Sequence, residues 1–276
     1  MIDLIAVGDV MLDGSLPAPV EGERVHGRIE LRAGGSAVGA AFAAARLGAR
    51  AAVVGRIGAD AAGRLISAEL AAAGVEALLA RDPDAATGCA FVIGGSSVVA
   101  NPGAAARLSS DDVPATLAAG AVLVSGYSLL QPGSTAAGRV ALARAKTECL
   151  AVDAASSRLV ASFGVEQFFE ATERASVLLA NADEARALTG LEPEQAALAL
   201  ARTYRIACVK LGRAGAVAAS GADVSRVEVE PVDPTDTFGA GDAFAGGFLF
   251  ALARGRVLAD ALCSGCDAAR ALLLLK

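Results

Sequence analysis

A glycine-rich segment carries the strongest chemical pattern of this sequence, Asp-Thr-Phe-Gly-Ala-Gly-Asp-Ala-Phe over residues 236–244. The alanine-rich run that continues from it predicts a helix over about 240–254. Backbone N–H groups and the positive end of the helix dipole would meet at the glycines, and this arrangement favours an anion there. Asp242 would then lie in the first helical turn beside that anion. A carboxylate at such a place either complements the helix dipole or positions and deprotonates an attacking hydroxyl group.

The rest of the chain alternates between short apolar strands and helical patterns. The predicted strands lie at about 2–8, 51–54, 121–125, 150–152, 177–180 and 206–210, with a late hairpin at 216–219 and 227–229. The predicted helices lie at about 37–47, 61–73, 134–146, 165–173, 182–189, 193–203, 240–254 and 257–276. This alternation predicts an α/β fold in which helices cover both faces of a mostly parallel sheet.

Two regions with short strand patterns interrupt that alternation, at about 14–33 and 86–100. Gly94-Gly95 marks a hairpin turn inside the second region. We expect the two regions to pair as a small β lid beside the main sheet. The 276 residues suffice for one large α/β domain or two small ones.

Composition excludes several classes of function. A net charge of −6 and an aromatic content of 4% argue against a nucleic-acid-binding surface. No signal-peptide pattern and no run of about 18 apolar residues is present, which argues against secretion and against a membrane partner. The five cysteines are scattered and odd in number, as suits a reducing cytoplasm, where we expect the protein to act.

The segment at 236–244, continued by Ala-Gly-Gly-Phe-Leu at 245–249, resembles the signature of the ribokinase-like, PfkB-type carbohydrate kinases. The resemblance implies a three-layer α/β/α fold in a single domain over residues 1–276. It implies an ATP-dependent kinase that phosphorylates a hydroxymethyl group of a small sugar or sugar-like substrate, with Asp242 as the catalytic base. The residues that inherit the anion hole are Gly239, Ala240 and Gly241.

Further segments resemble the substrate-binding elements of that family, in the family's order. The strand end Gly8 to Asp13 resembles one whose closing Asp binds sugar hydroxyls, and the glycines at 34 and 35 begin the family's first signature. The residues implied to bind substrate are Asp13, Gly34, Gly35 and Gly39. Gly39 stands where the family usually has an Asn that helps to hold the sugar, and this departure favours a different or less hydroxylated substrate.

Other segments resemble the family's nucleotide-binding elements. The residues implied to bind the nucleotide are Asn181, Lys210, Gly212 and Gly215. Glu184 completes an Asn-x-x-Glu element that would hold Mg²⁺ through water. Taken without the resemblance, Asn181 and Glu184 also fit an ordinary helix start with a capping acid.

The resemblance implies ATP and Mg²⁺ as cosubstrate and metal ion. It is also compatible with a monovalent cation near Asp236 and with a homodimer through exposed lid strands.

Two alternatives remain open: a nucleoside or vitamin-type kinase of the same superfamily, and a non-catalytic ligand-binding relative. A dinucleotide-binding oxidoreductase is disfavoured because no Gly-x-Gly-x-x-Gly follows the first strand. The Cys-x-x-Cys at 263–266 lacks the second cysteine pair or the histidine that a zinc site needs.

Overall fold

The structure, a computed structural model, describes residues 1–18, 20, 24–27, 29–95, 97–230, 232 and 236–275. Its strands are β1 (Ile2–Val7), β2 (Met11–Leu16), β3 (Glu30–Gly34), β4 (Ala51–Gly58), β5 (Glu76–Asp82), β6 (Thr87–Ile93), β7 (Ser97–Gly103), β8 (Leu117–Ser125), β9 (Ala145–Lys146), β10 (Cys149–Asp153), β11 (Val177–Asn181), β12 (Ile206–Lys210), β13 (Ala216–Ser220) and β14 (Asp223–Val227).

Its helices are α1 (Ser36–Arg46), α2 (Ala61–Ala72), α3 (Gly126–Leu130), α4 (Thr135–Arg144), α5 (Ser157–Phe163), α6 (Val165–Ala171), α7 (Ala182–Thr189), α8 (Pro193–Leu200), α9 (Ala240–Ala253) and α10 (Leu258–Leu273). Short 3₁₀ turns lie at Ala104–Arg107 and Gly212–Ala214. None of the helices within the described ranges combines the length and apolar character that a membrane span requires.

A large sheet forms the centre of the molecule, with the strand order β14-β13-β12-β11-β10-β8-β1-β4-β5 and β9 beside β8. Its strands pair in parallel except for β13 and β14, which run antiparallel to their neighbours. Successive residues of β1 enter different cores: Leu4 lies in one cluster and Ile5 in the other. Such alternation of buried side chains is what a parallel sheet covered on both faces requires.

Helices cover both faces of that sheet. One core contains Val38 of α1, Phe248 of α9 and Leu262 of α10. The opposite core contains Leu142 of α4 and Leu188 of α7. The predicted three-layer α/β/α, ribokinase-like architecture is therefore confirmed.

The second sheet, in the order β3-β2-β6-β7, is the small β lid. It extends beyond the predicted segments at 14–33 and 86–100, because β2 begins at Met11 and β7 ends at Gly103. Asp13, which we expected at the end of the first strand, lies inside β2, where it pairs with β3 and β6. The hairpin between β6 and β7 turns at 94–95 as predicted.

Candidate active site

The N-terminus of α9 lies where the sequence pattern placed it, with Gly239 as the N-cap residue. The Ala240 N–H donates to the Thr237 carbonyl at 3.2 Å, so this amide is used locally. Within the described ranges, the N–H groups of Gly241 and Asp242 have no backbone acceptor. Free amides at the positive end of a helix dipole can bind an anion.

Two cavities meet at this helix terminus. The lid cavity, of about 550 Å³, lies under the lid sheet and is lined by Asp13, Tyr127 and Asp242, among others. The turn cavity, of about 600 Å³, lies between the 212–215 turn and α10. The residues that line both are Asn181, Lys210, Thr237 and Gly241. A group bound in one cavity can therefore reach a group bound in the other beside the free amides.

Asp242 is half-buried and lines the lid cavity. Burial and, next, the charge of Asp153 raise the pKa of its carboxyl group against the opposing charge of Lys210, and the net value is about 8. The carboxylates of Asp9 and Asp13 also contribute to it. A carboxylate with a raised pKa is a better general base than an ordinary surface aspartate.

Gly39, on α1, packs against Asp242 and does not line the lid cavity. A Cβ atom at Gly39 would lie 2.7 Å from the Asp242 Cβ, closer than two such atoms can approach. Gly39 lines a third cavity of about 500 Å³, the rear cavity, which reaches Asp242 from the side of α10. Gly39 therefore packs directly against the candidate base, and its contact with substrate stays a prediction.

The other three residues that we expected to bind substrate come together under the lid. Asp13 is 6% exposed, and a side chain at Gly34 would overlap its carboxylate. The Gly35 N–H donates to Asp13 Oδ2 at 3.4 Å. Asp13 and Gly35 both line the lid cavity, whereas Gly34 supports Asp13 from behind and lines the rear cavity.

Asp9 is a residue that the sequence interpretation did not single out. It lies two residues beyond the end of β1. Its carboxylate accepts hydrogen bonds from the Ser36 N–H at 2.9 Å and the Ser36 hydroxyl at 2.6 Å. The Ser125 hydroxyl donates to it at 2.9 Å. The available signal was its place just beyond the carboxyl end of a parallel strand, where ligands bind in open α/β sheets.

Asp153 was also missed, and it forms the ion pair that fixes Lys210. Lys210 Nζ lies 2.7 Å from Asp153 Oδ2, and a Cβ atom at Gly241 would lie 3.4 Å from that Nζ. Burial disfavours the charged amine, but the carboxylates of Asp153 and Glu184 outweigh this effect and raise the pKa of Lys210. A permanent cation therefore sits beside the tip of α9, where the two cavities join.

Asn181 and Glu184 form a complete capping box at the start of α7. The Asn181 side chain donates to Glu184 Oε1 at 2.7 Å, and its backbone N–H donates to Oε2 at 2.8 Å. Burial raises the pKa of Glu184 to about 7, helped by Asp153 and opposed by Lys210. The role of this motif as a helix cap is thus compatible with its expected role in binding, since Glu184 also lines the lid cavity.

The donors at this junction fit Mg²⁺ held largely by water and phosphate. Carboxylate oxygens are the ligands that Mg²⁺ prefers, but both Glu184 oxygens already accept hydrogen bonds from Asn181. Among the described residues, no group of three or more His, Cys, Asp or Glu side chains could enclose a metal ion. Contact through a water molecule is compatible with these residues and stays a prediction.

All four residues that we expected to bind nucleotide line the turn cavity: Asn181, Lys210, Gly212 and Gly215. Its other wall is largely apolar, with Val229, Phe244 and Leu273. A flat heterocycle on that wall and a phosphate chain along the glycine turn match this division of polar and apolar surface.

Comparison with known proteins gives the same assignment along the whole chain. The family model for pfkB family carbohydrate kinases matches residues 1–275. Ribokinase from Mus musculus is 30% identical over 271 residues, 91% of this chain and 81% of that protein. The 2-dehydro-3-deoxygalactonokinase of Haloferax volcanii is 28% identical over 283 aligned positions, covering 95% of this chain and 88% of that protein.

A solved structure also resembles this chain over nearly its whole length. The crystal structure of adenosine kinase from Sinorhizobium meliloti superposes with a TM-score of 0.87 at 26% identity, covering 99% of this chain and 94% of that one. The match of the family model to nearly every residue and the identity to ribokinase lead to one conclusion: the chain belongs to the pfkB family of carbohydrate kinases.

Proposed function

We propose that this kinase transfers the γ-phosphoryl group of ATP to a hydroxymethyl group of a small sugar or sugar-like substrate. The observation that carries the proposal is the position of Asp242. Its carboxylate lines the lid cavity next to two free amides of α9, and Gly241 lines both the lid and the turn cavity. The acceptor would occupy the lid cavity and ATP the turn cavity.

The transfer would proceed in line across the tip of α9. Asp242 orients the acceptor hydroxyl and takes its proton while the oxygen forms a bond to the γ-phosphorus. The bond from that phosphorus to the β,γ-bridging oxygen breaks, and ADP leaves. The amides of Gly241 and Asp242, together with the Lys210 ammonium group, stabilise negative charge on the transferring oxygens.

The proposal also covers the ions that would accompany ATP. Glu184 would hold Mg²⁺ through water, and the ion would neutralise charge on the nucleotide phosphates. The proposal includes a monovalent cation near Asp236 as a family expectation. It also includes action in the cytoplasm, where ATP is present and the five unpaired cysteines would stay reduced.

The direct test is Asp242→Asn, with ADP formation measured over a pool of sugars and nucleosides. We expect kcat to fall by roughly 10²–10⁴-fold with little change in ATP affinity, because only the base is lost. Asp260→Asn is the matched control, since Asp260 is also an acid in the first turn of a helix but is exposed on α10. It should keep full activity.

The results separate the alternatives. Near-normal turnover by Asp242→Asn would reduce this residue to a dipole-complementing acid and would rule out the assignment. If the unaltered protein forms no ADP with any member of the pool but binds one of them, it is a non-catalytic relative.

A further inference from the structure

The lid cavity has two chemically different walls. The lower wall is polar and includes Asp9, Tyr127, Ser128, Gln131 and Ser134. The upper wall is apolar and includes Met11, Ala90, Val98, Ala100, Pro102 and Ala105. A ligand that fills this cavity needs hydroxyl groups on one side and an apolar surface on the other.

Val98 is the most informative residue of the upper wall. It pairs with the buried Val92 across β6 and β7 and lines the lid cavity, yet it is 50% exposed. Apolar surface that faces a cavity leaves water when an apolar ligand covers it, and this burial favours binding. A bare small sugar offers only the small C–H face of its ring to cover Val98.

The charge of the lid cavity favours an uncharged ligand. Asp9, Asp13 and Asp242 line it, and within the described residues its one basic side chain is Lys210, already bound to Asp153. Proteins usually hold carboxylate or phosphate ligands with arginine forks, and no described arginine or histidine lines this cavity. An anionic acceptor would meet carboxylates instead.

The rear cavity does not supply the missing positive charge. Its lining contains Arg32 and Arg46, but it also contains Glu30, Glu69 and Asp267. Carboxylates therefore outnumber the two arginines on that side as well. An acidic group of an acceptor gains no net attraction by extending past Asp242 into that space.

Resting on the proposed function, we infer that the acceptor is an uncharged polyol that carries a flat aromatic ring whose face covers the apolar wall, the chemistry of a nucleoside. Acceptors with a carboxylate or phosphate group are excluded by the acidic lid cavity. The protein would thus differ in acceptor from the 2-dehydro-3-deoxygalactonokinase to which it is 28% identical, since that enzyme is named for a sugar acid.

The test uses matched pairs of acceptors with ATP and the intact protein. Ribonucleosides are compared with ribose for the apolar ring, adenosine with adenosine 3′-phosphate for the added phosphate, and glucose with gluconate for the added carboxylate. We expect kcat/KM to be at least about 100-fold higher for one ribonucleoside than for ribose or for any anionic member. Binding of each compound is measured separately by calorimetry without nucleotide.

Val98→Ser tests the wall itself. Removing the apolar surface should raise KM for the preferred nucleoside by about tenfold or more, because the ring loses its partner. Val224→Ser is the matched control: Val224 is 38% exposed on β14, an edge strand of the large sheet, and lines none of the three cavities.

Measurements of binding and of turnover distinguish the proposed kinase activity from the proposed acceptor class. A ribonucleoside that binds without ADP formation would contradict the proposed kinase activity and support the acceptor class. Equal or better binding of ribose, gluconate or adenosine 3′-phosphate would overturn the acceptor class whatever the turnover. Absence of ribonucleoside binding at millimolar concentration would overturn it too.

Discussion

Gly39 occupies a position in α1 where any side chain would disturb Asp242. An added Cβ atom would lie 2.7 Å from the Asp242 Cβ and 3.4 Å from its Oδ2. Gly39→Ala should therefore lower kcat by about tenfold or more, because small displacements of a reacting group are costly. The helix itself should tolerate the change, since Ala is favoured over Gly in a helix by about 0.5–1 kcal/mol.

The measurement is kcat alongside the circular dichroism spectrum. Ala45→Ser is the matched control, because Ala45 lies on the same helix and lines none of the cavities. A Gly39→Ala variant with unchanged kcat would show that Asp242 does not depend on this contact.

Asp242 should also set the pH dependence of the reaction. Burial raises its pKa to about 8, and the base must be deprotonated to act. Below that pH the carboxyl group is protonated, so kcat/KM should rise about tenfold per pH unit and level off above it. The surrounding charges are those of Asp153, Lys210, Asp9 and Asp13.

Two variants would move this midpoint in opposite directions. Asp153→Asn removes a negative neighbour and should shift it to lower pH, whereas Lys210→Met removes the positive neighbour and should shift it higher. A wild-type midpoint near pH 4, or shifts of the same sign, would contradict this account of the carboxyl group.

Sequence patterns identified candidate residues within one motif, but they did not identify residues that are neighbours only through the order of strands in the sheet. Asp242, Gly241 and Lys210 became candidates because each belongs to a contiguous pattern. Asp9 lies just beyond β1 and Asp153 is the last residue of β10. These two strands flank β8 in the sheet, although more than a hundred residues separate the two carboxylates in the chain. Strand order is a tertiary property, so a single sequence does not reveal which strand ends are neighbours.

Asp60 joins the lid to the main sheet. It caps α2 by accepting from the Gly63 N–H at 2.8 Å, and it holds Thr87, the first residue of β6. The Thr87 hydroxyl donates to Asp60 Oδ1 at 2.6 Å, and the Thr87 N–H donates to Oδ2 at 2.7 Å. The same hydroxyl accepts from the Gly58 N–H at 2.9 Å. Asp60 thus connects α2 and β6 directly, and it connects β4 through the Thr87 hydroxyl.

Asp60→Ser separates the two tasks of this carboxylate. Serine is also a good N-cap, so α2 should remain capped, while the grip on Thr87 weakens. We expect KM for the acceptor to rise by about fivefold or more with little change in KM for ATP, because the acceptor would lie under the lid. Steady-state kinetics with each substrate varied in turn give both values.

Asp60→Ala removes both tasks and should in addition lower the free energy of unfolding by about 1–2 kcal/mol, the typical cost of a lost N-cap. Thermal unfolding beside the kinetics distinguishes the variants. Parallel rises of KM for acceptor and ATP in Asp60→Ser would indicate general damage instead of a lid anchor.

Elements with strong local signals were predicted closely. The helix predicted at 182–189 coincides with α7 because a capping box begins it. β5 was missed because Glu76–Asp82 is a half-exposed edge strand with only weak alternation. α5 was missed because Gly164 divides the region 157–171 into two short helices, which packing rather than periodicity stabilises.

The lid also suggests how two copies of the molecule would meet. One face of its sheet covers the cavity with Ala90 and Ala100, while the alternate residues of the same strands face away. Val99 of β7 and Leu31 of β3 belong to one such row across the sheet, and they are 60% and 48% exposed. An apolar outer face on a small sheet is typical of a surface that associates.

We therefore expect a homodimer formed through the outer face of the lid, with a mass of about twice 27.3 kDa in sedimentation experiments. Val99→Glu should shift the population to monomer, because a carboxylate at the centre of an apolar contact would be buried without a partner. Val224→Glu, an exposed edge-strand valine outside the lid, should leave the mass unchanged. A wild-type protein that sediments as a monomer at micromolar concentration would mean that the lid closes over its substrate without support from a second copy.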